Sequence, residues 1–530
     1  MTQFGVRGDN SGRLARRGST WDYARVLGQV LSVSDRQYLK KTATVAAVVY
    51  FLAAVFSVGY HHPDEHFQIL EYVALKLGSA DVPNMAWEYH HGMRSWLQPS
   101  LLYAVTRVLQ GMGLNEPPQW AFVYRLLSGV LSLAAIACFA QKSRPWFQRS
   151  EVWRATVLAV FFFWCVPYLA VRTSSETWSS AFLLFGISAC LRSPTENQIR
   201  GFLWAGLFWG FAFQFRFQAA VAVAGAVAYF LILQRNPRVF LIFPGVILTL
   251  LIGIVVDRWG YGYWGVSAWE YFYQNLWVGK VAEFGTSPWW AYPKLLAVKA
   301  GPPLSWVLML GTFWAWFRFP FHLLTWMSVP FFLVHSAIGH KEARFLIPIL
   351  VPALMQVGLL VDSLERSVGR AGKLGLQVLF ALNGLLLLAS LLKPADVKSD
   401  FYSHVARKVG EEVTLYYKDS HPYGPVSRHK FFWFEGLHFV HFDRPEEFLE
   451  AVDKEKSAYL FWREDVLPEA FQAPGVQCEL EHATVPPWLY PFDFNGWLRR
   501  TPRYNLFLCR KAPLGAASGG VYNQTRQKKL

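Results

Sequence analysis

The sequence predicts an α-helical, polytopic membrane protein with about eleven transmembrane helices and a C-terminal mixed α/β domain on the non-cytoplasmic side. Three observations carry that prediction. First, the chain is 53% hydrophobic and 17% aromatic but only 16% charged, against roughly 25% charged residues in soluble chains. Second, apolar runs long enough to cross a bilayer recur from Thr42 to about residue 393. Third, basic residues gather in alternate loops, which fits the positive-inside rule. That rule accounts for the net charge of +15 better than nucleic-acid binding does, so the expected partner is the lipid bilayer and not nucleic acid.

The elements follow in chain order. Residues 1–41 are polar and basic, and read as a cytoplasmic tail ahead of an uncleaved first span. Spans are expected at Thr42–Tyr60, Trp120–Ala140, Val152–Val171, Trp178–Leu191, Gly201–Phe215, Phe217–Gln234, Val239–Val256, Pro303–Phe317, Phe321–Gly339, Phe345–Val361 and Leu374–Leu392. The inside loops then hold Lys142, Arg144, Arg149 and Arg154, later Arg192 with Arg200, Arg235 with Arg238, Arg318, and finally Arg366, Arg370 and Lys373. The long loops 61–118 and 257–301 fall outside. From Pro394 short apolar runs alternate with polar stretches, so 394–515 reads as a soluble mixed α/β domain. Residues 516–530 are Gly/Ser-rich and then Lys-rich, a composition that favours disorder, and Asn523 heads a glycosylation triplet. Cys138, Cys165 and Cys190 lie in apolar spans, whereas Cys478 and Cys509 lie where an oxidising compartment would let them pair.

The unusual polar residues converge on the outer face. They are His61, Asp64, Glu65, Arg172, Glu176, Arg216, Asp257, His340, Lys341, Glu342 and Arg344. The most informative stretch is HHPDEHFQ, His61–Gln68, directly after the first span. Adjacent carboxylates there suit a general base and its neighbour, or a solvated helix cap. Glu65–Lys76 has apolar residues at helical spacing and predicts a helix at the membrane surface; Pro99–Leu109 is similar.

Further chemistry sits in the other outer loops. His340-Lys341-Glu342-Ala343-Arg344 is a candidate anion clamp, since Arg344 offers a planar fork and Lys341 a point charge. Arg172 and Glu176 have the spacing of an i,i+4 pair. Arg216 interrupts an apolar run, which makes it a functional candidate or the mark of a hairpin turn. The loop from Asp257 to Tyr292 gathers many Trp and Tyr rings around Asn275, including Trp289, Trp290 and Tyr292. It reads as an aromatic belt, or as a sugar pocket in which Asp257 and Asn275 bind hydroxyls. Trp87–Pro99 adds Glu88, His90, His91 and Arg94, but without the spacing of a metal site; no metal or cofactor is expected.

These motifs together resemble the Alg9-like mannosyltransferases, glycosyltransferase family 22 of the GT-C class. The resemblance rests on Asp64-Glu65, on Trp87–Pro99, on the turn Arg172–Glu176, on Asp257–Trp264 with Tyr271–Asn275 and Phe284–Tyr292, and on His340–Pro348. It runs over about residues 42–393 and lies nearest the GPI-mannosyltransferase side.

The resemblance implies a GT-C-type fold and an inverting mannosyltransferase. The donor would be a polyprenyl-phosphate mannose, such as dolichol phosphate mannose, and the acceptor a glycan or glycolipid. It places the base at Asp64, with Glu65 orienting the acceptor. His340, Lys341, Arg344 and Arg216 would hold the donor phosphate. Arg94, Arg172, Glu176, Asp257, Asn275, Trp289, Trp290 and Tyr292 would contact sugar and acceptor. The expected location is the endoplasmic reticulum membrane in a eukaryote, or the inner membrane in a bacterium, with the site facing away from the cytoplasm. The rival classes are a transporter of lipid-linked sugars and a non-catalytic subunit that binds them. A transporter predicts ionisable residues at mid-membrane and inverted repeats; here the polar residues gather at span ends and no repeat is visible.

Overall fold

The computed structural model describes residues 31–191, 198–364, 370–408, 412–424, 429–464, 467–471, 475–485, 491, 493, 501 and 503–511. Most of the N-terminal tail, Arg192, Arg366, Asn523 and the segment 516–530 lie outside the described residues.

The helical part comprises α1 (Val33–Phe56), α2 (Leu97–Gly111), α3 (Pro117–Ser143), α4 (Ser150–Phe162), α5 (Ser175–Cys190), α6 (Gln198–Phe215), α7 (Ala219–Ala228), α8 (Ile242–Tyr261), α9 (Leu304–Arg318), α10 (Leu323–Ala337), α11 (Leu350–Ser363) and α12 (Arg370–Leu392). Five described helical segments are long and apolar enough to cross a membrane: Val33–Phe56, Pro117–Trp146, Pro237–Tyr261, Ala343–Ser363 and Leu374–Leu392. A sixth arises if α9 and α10, bent by 120° at their junction, count as one span. The other runs expected as spans form helices that are shorter or interrupted. The run Val152–Val171 breaks at Phe163 and resumes as the short helix Val166–Ala170, which carries Pro167. The run Phe217–Gln234 becomes α7 and a π turn, Tyr229–Leu233. The first helix also starts at Val33, ahead of the expected boundary at Thr42, because Ser32 caps it by accepting the Asp35 amide.

Apolar surface gains little from leaving lipid for another helix, so close approach and interhelical hydrogen bonds have to hold the bundle. α5 packs on α3 and α6, and α6 on α8. Gly206 of α6 lies so close to the Ile242 carbonyl of α8 that a Cβ would overlap it. Ser179 donates to the Ala212 carbonyl at 2.8 Å, and Gln214 Nε2 to the Thr249 carbonyl at 2.8 Å. These contacts fix where the α6–α7 turn, with Arg216, emerges.

The two ends of the bundle carry different charge networks. At one end Asp35 is held by Arg144 at 2.8 Å and Arg154 at 2.9 Å, and Asp362 by Arg149 at 3.2 Å. All these residues belong to segments assigned inside by charge. Asp64, Glu176, Arg216, Glu342 and Arg344, which the charge pattern assigned to the other side, meet in one ion-pair network elsewhere.

Beyond α12 the chain forms α13 (Val397–Lys408) and then a five-stranded sheet, with α14 (Pro445–Glu455) between its second and third strands. The strands are β1 (Val413–Tyr417), β2 (Leu437–His441), β3 (Ser457–Trp462), β4 (Val476–Ala483) and β5 (Asn505–Lys511), in the order β2-β1-β3-β5-β4. β1 pairs in parallel with β2 and β3, while β5 pairs antiparallel with β3 and β4. A Cys478–Cys509 disulfide joins β4 to β5. The domain is not a detached appendage: Leu415, Phe431, Phe432 and Leu506 share one apolar core with Ile69, Leu70, Leu102 and Tyr124.

Candidate active site

The segment after α1 folds as its sequence dictates. His62 precedes a helical turn over Pro63–Glu65, its Nδ1 lying 3.2 Å from the Asp64 amide nitrogen. Pro63 takes the first helical position, where its fixed φ is already suitable and its missing N–H costs nothing. Asp64 and Glu65 thus occupy a first turn, where carboxylates are favoured. A π turn, His66–Leu70, leads into the helix Glu71–Leu77, which stops at Gly78 in the left-handed region with φ 84°. The helix expected over Glu65–Lys76 is present, but Tyr72, Val73 and Ala74 are fully buried in protein and not laid on a membrane surface.

The two adjacent carboxylates point to different places. Asp64 lies at the rim, its side chain 25% exposed, with Oδ2 2.7 Å from Arg344 Nη2 and Oδ1 3.4 Å from His62 Nδ1. Glu65 faces inward. Its oxygens accept the His61 amide at 2.9 Å and the Thr173 amide at 2.5 Å. Burial raises the Glu65 carboxyl above its ordinary value, against the pull of Arg172 and these two amides. Glu65 therefore braces the loop. Glu65→Gln leaves one amide facing an NH2 group, which costs about 1–3 kcal/mol. The expected outcome is a lower melting temperature in detergent, with a rate loss smaller than that of any change at Asp64.

Arg344 is the hub of the site. It is buried, and its guanidinium reaches Asp64, Glu176 Oε1 at 2.9 Å and Glu342 Oε2 at 2.6 Å. Glu176 also holds Arg216 Nη1 at 3.2 Å. Glu342 receives His340 Nε2 at 2.7 Å and His62 Nε2 at 3.1 Å. The turn Ala343–Ile349 that carries Arg344 is 3-10 helical and packs against α5, which carries Glu176.

The electrostatics follow from these contacts. Burial pushes Asp64 up, but the His62 bond and the Arg344 and Arg94 charges outweigh it and hold the carboxyl below the usual range. Glu342 is likewise lowered: burial opposes, and His62, Arg344 and His340 prevail. For His62, burial lowers the pKa, but its bonds to Asp64 and Glu342 raise it from 6.5 to about 9. A group raised on folding stabilises fully below its ordinary value and loses that contribution as pH climbs through the raised one. The His62 contribution is thus complete below pH 6.5 and fades as pH passes about 9. The carboxylates act in the opposite sense, losing theirs only on acidification. The melting temperature is expected to fall between those two values, and His62→Gln is expected to flatten that fall; a pH series of thermal melts measures both.

Several sequence-predicted contacts are corrected. Lys341 pairs with no carboxylate of the network: its amine donates to the carbonyls of Ser287 at 3.0 Å and Ile338 at 2.6 Å, tying the turn to the aromatic loop. Arg172 and Glu176 do not pair. Arg172 instead grips the end of α1, donating to the Gly59 carbonyl at 2.7 Å and the Ser57 carbonyl at 2.6 Å. Asp257 is buried and accepts the Trp96 amide and the Ser267 hydroxyl, both at 2.7 Å, so it ties those two segments together. Asn275, in the π turn Tyr273–Trp277, donates to the Tyr271 carbonyl at 2.9 Å in the short helix before it. Trp289 and Trp290 are exposed, whereas Tyr292 is fully buried against Phe332. With Trp264, Trp269 and Trp277 also exposed, the loop has the character of an interfacial aromatic belt more than of a closed sugar pocket.

Arg94 lies beside the network, 3.6 Å from Glu88 and over the Tyr271 ring at 5.2 Å. A small cavity of about 30 Å³, enough for one water, separates it from Arg216 and is lined by Gln68, Gln98 and Gln214. The cations singled out in sequence are thus largely neutralised by carboxylates. His62 was missed, and Glu342 was counted among the outer-face polar residues but given no role. Both lay inside motifs already noted, but a carboxylate amid cations and a histidine before a proline carry no distinctive spacing. Among the described residues no group of three or more His, Cys, Asp or Glu is placed to hold a metal ion.

The sequence profile of the Alg9-like mannosyltransferase family matches residues 42–404. The chain belongs to that family. The match begins within the first helix, takes in the network and ends within α13, before the sheet. Relatives include GPI mannosyltransferase 3 of Drosophila melanogaster, 26% identical over 355 residues, which are 65% of this chain and 59% of that one. Mannosyltransferase APTG1 of Arabidopsis thaliana is 25% identical over 316 residues, 58% of this chain and 56% of the relative. The chain thus spans somewhat over half the length of the curated relatives it matches. Among solved structures, ArnT from Cupriavidus metallidurans superposes with a TM-score of 0.50 at 13% identity, over 90% of this chain and 98% of ArnT. At that identity the likeness is one of fold, a helical GT-C-like architecture.

Proposed function

We propose that this protein transfers mannose from a polyprenyl-phosphate mannose to a glycan or glycolipid acceptor, forming an α-mannoside with inversion. The observation that carries the reading is the Asp64–Arg344 pair within a family-matched segment: a rim carboxylate for the acceptor hydroxyl beside a buried arginine for the phosphate. A hydroxyl is a weak nucleophile and needs a positioned base as it attacks the anomeric carbon. The C1–O bond to the phosphate then breaks, and the leaving phosphate gains charge that Arg344, Arg216 and His340 can take up. Asp64 is a poor base while Arg344 holds it. Donor phosphate, by competing for Arg344, would raise the Asp64 pKa towards a useful value. Binding of the correct donor would thereby switch the base on.

The polar network sits at span ends, and the Cys478–Cys509 disulfide suits an oxidising compartment. Both favour a site on the non-cytoplasmic face, in the endoplasmic reticulum of a eukaryote or the inner membrane of a bacterium. The bilayer, the lipid donor and the glycolipid acceptor are the proposed partners. The test incubates purified protein with labelled polyprenyl-phosphate mannose and a panel of glycolipid acceptors, GDP-mannose serving as the competing donor. Transfer from the lipid donor alone is expected. Transfer only from GDP-mannose, or uptake of lipid-linked sugar into vesicles without transfer, would sink the reading. Ala343→Cys, at an exposed position in the turn, should react with an impermeant thiol reagent from the non-cytoplasmic side.

A further inference from the structure

We propose that the C-terminal sheet domain, which lies beyond the family-matched segment, positions the Asp64-bearing loop through a buried contact between His429 and Tyr60. The inference rests on the reading of Asp64 as the base. Its evidence is geometric and lies on both sides of Asp64 in sequence.

Tyr60 hydroxyl and His429 Nε2 are 3.0 Å apart, and both residues are buried. His429 Nδ1 is itself placed by the Tyr402 hydroxyl at 3.3 Å and the Tyr423 carbonyl at 3.2 Å. On the other side of Asp64, the fully buried His66 ring lies between His429, at 4.5 Å, and Phe432, at 5.8 Å. His66 Nε2 is 2.7 Å from Glu71, which also accepts the Phe431 amide at 3.1 Å. The domain thus bonds the loop at Tyr60, packs on it at His66 and bonds it again at Glu71.

The carboxylate between these clamps has little freedom of its own. Its bond to Arg344 depends on where the turn presents it. Buried polar networks with their partners in place select one geometry, because each alternative strands a donor or acceptor. A shift of about 1 Å at a reacting group can cost on the order of a hundredfold in rate. The family-matched segment ends at residue 404, so the clamping residues 429–432 are supplied by sequence outside it.

The test uses full-length protein carrying Tyr60→Phe, His429→Phe or both. Each change keeps an aromatic ring in place and removes the same hydrogen bond, and Tyr60→Phe is the milder should His429→Phe fold poorly. Each single variant is expected to lower kcat about tenfold, with KM for the lipid donor within about twofold. The double variant is expected to be no worse than His429→Phe alone, because that change already removes the one bond that Tyr60→Phe removes. Hydrogen exchange in the 60–71 segment should rise in all three, while exchange in 340–349 stays at the parent level. Parent-level kcat in folded Tyr60→Phe overturns the inference. So do losses that multiply in the double variant with 60–71 exchange unchanged. If the parent itself transfers no mannose, the reaction reading fails. Raised 60–71 exchange in the variants then still supports the clamp, and unchanged exchange overturns that too.

Discussion

Asp64→Asn is expected to transfer mannose about 10²–10⁴-fold more slowly than the parent, the usual loss for a general base, with donor binding retained. Asparagine keeps the size of the side chain but cannot accept the hydroxyl proton at neutral pH. It also removes one of three carboxylates around Arg344, leaving Glu176 at 2.9 Å and Glu342 at 2.6 Å to hold the guanidinium. The site should therefore stay folded, and the loss should fall on kcat. Steady-state transfer alongside a separate donor-binding measurement resolves the two. Loss of donor binding with kcat intact would move Asp64 from base to phosphate-site organiser.

Arg344→Lys is expected to lower kcat/KM for the donor at least a hundredfold, although charge is conserved. A lysine offers one compact ammonium where the guanidinium fork meets Asp64, Glu176 and Glu342 at once. Arg344→Ala should be worse. It leaves three carboxylates facing one another, and breaking a buried pair in this way costs about 3–5 kcal/mol. The Lys variant is the informative one, because its expected effect falls on donor dependence more than on folding. A Lys variant with parent donor dependence would take the phosphate away from Arg344.

The gathering of the site was legible in sequence, and its wiring was not. Sorting the loops by charge put Asp64, Glu176, Arg216 and Arg344 on one face, and the structure joins all four in one network. That works because topology follows from hydropathy and charge, which are local in sequence. The role of each carboxylate depends on its tertiary partner. Asp64 and Glu65 are neighbours of the same chemistry, yet one meets an arginine and the other two backbone amides. Lys341 looked like a free cation, but its amine caps carbonyls of a helix end and a loop that only the fold brings near. Asp257 likewise looked like a sugar ligand until the Trp96 amide claimed it. The sheet domain was legible as a domain, but no local pattern showed that His429 and Phe431 reach the loop that carries Asp64.

The central claim is a single displacement at the mannose anomeric carbon, with Asp64 as base and phosphate as leaving group. The most direct measurement is the anomeric configuration of the product, read by NMR on the disaccharide released after transfer from a donor of defined β configuration. The account predicts an α-mannoside, with no covalent mannosyl-enzyme trapped under single turnover. A β-mannoside, or a mannosyl adduct on either carboxylate, would contradict it.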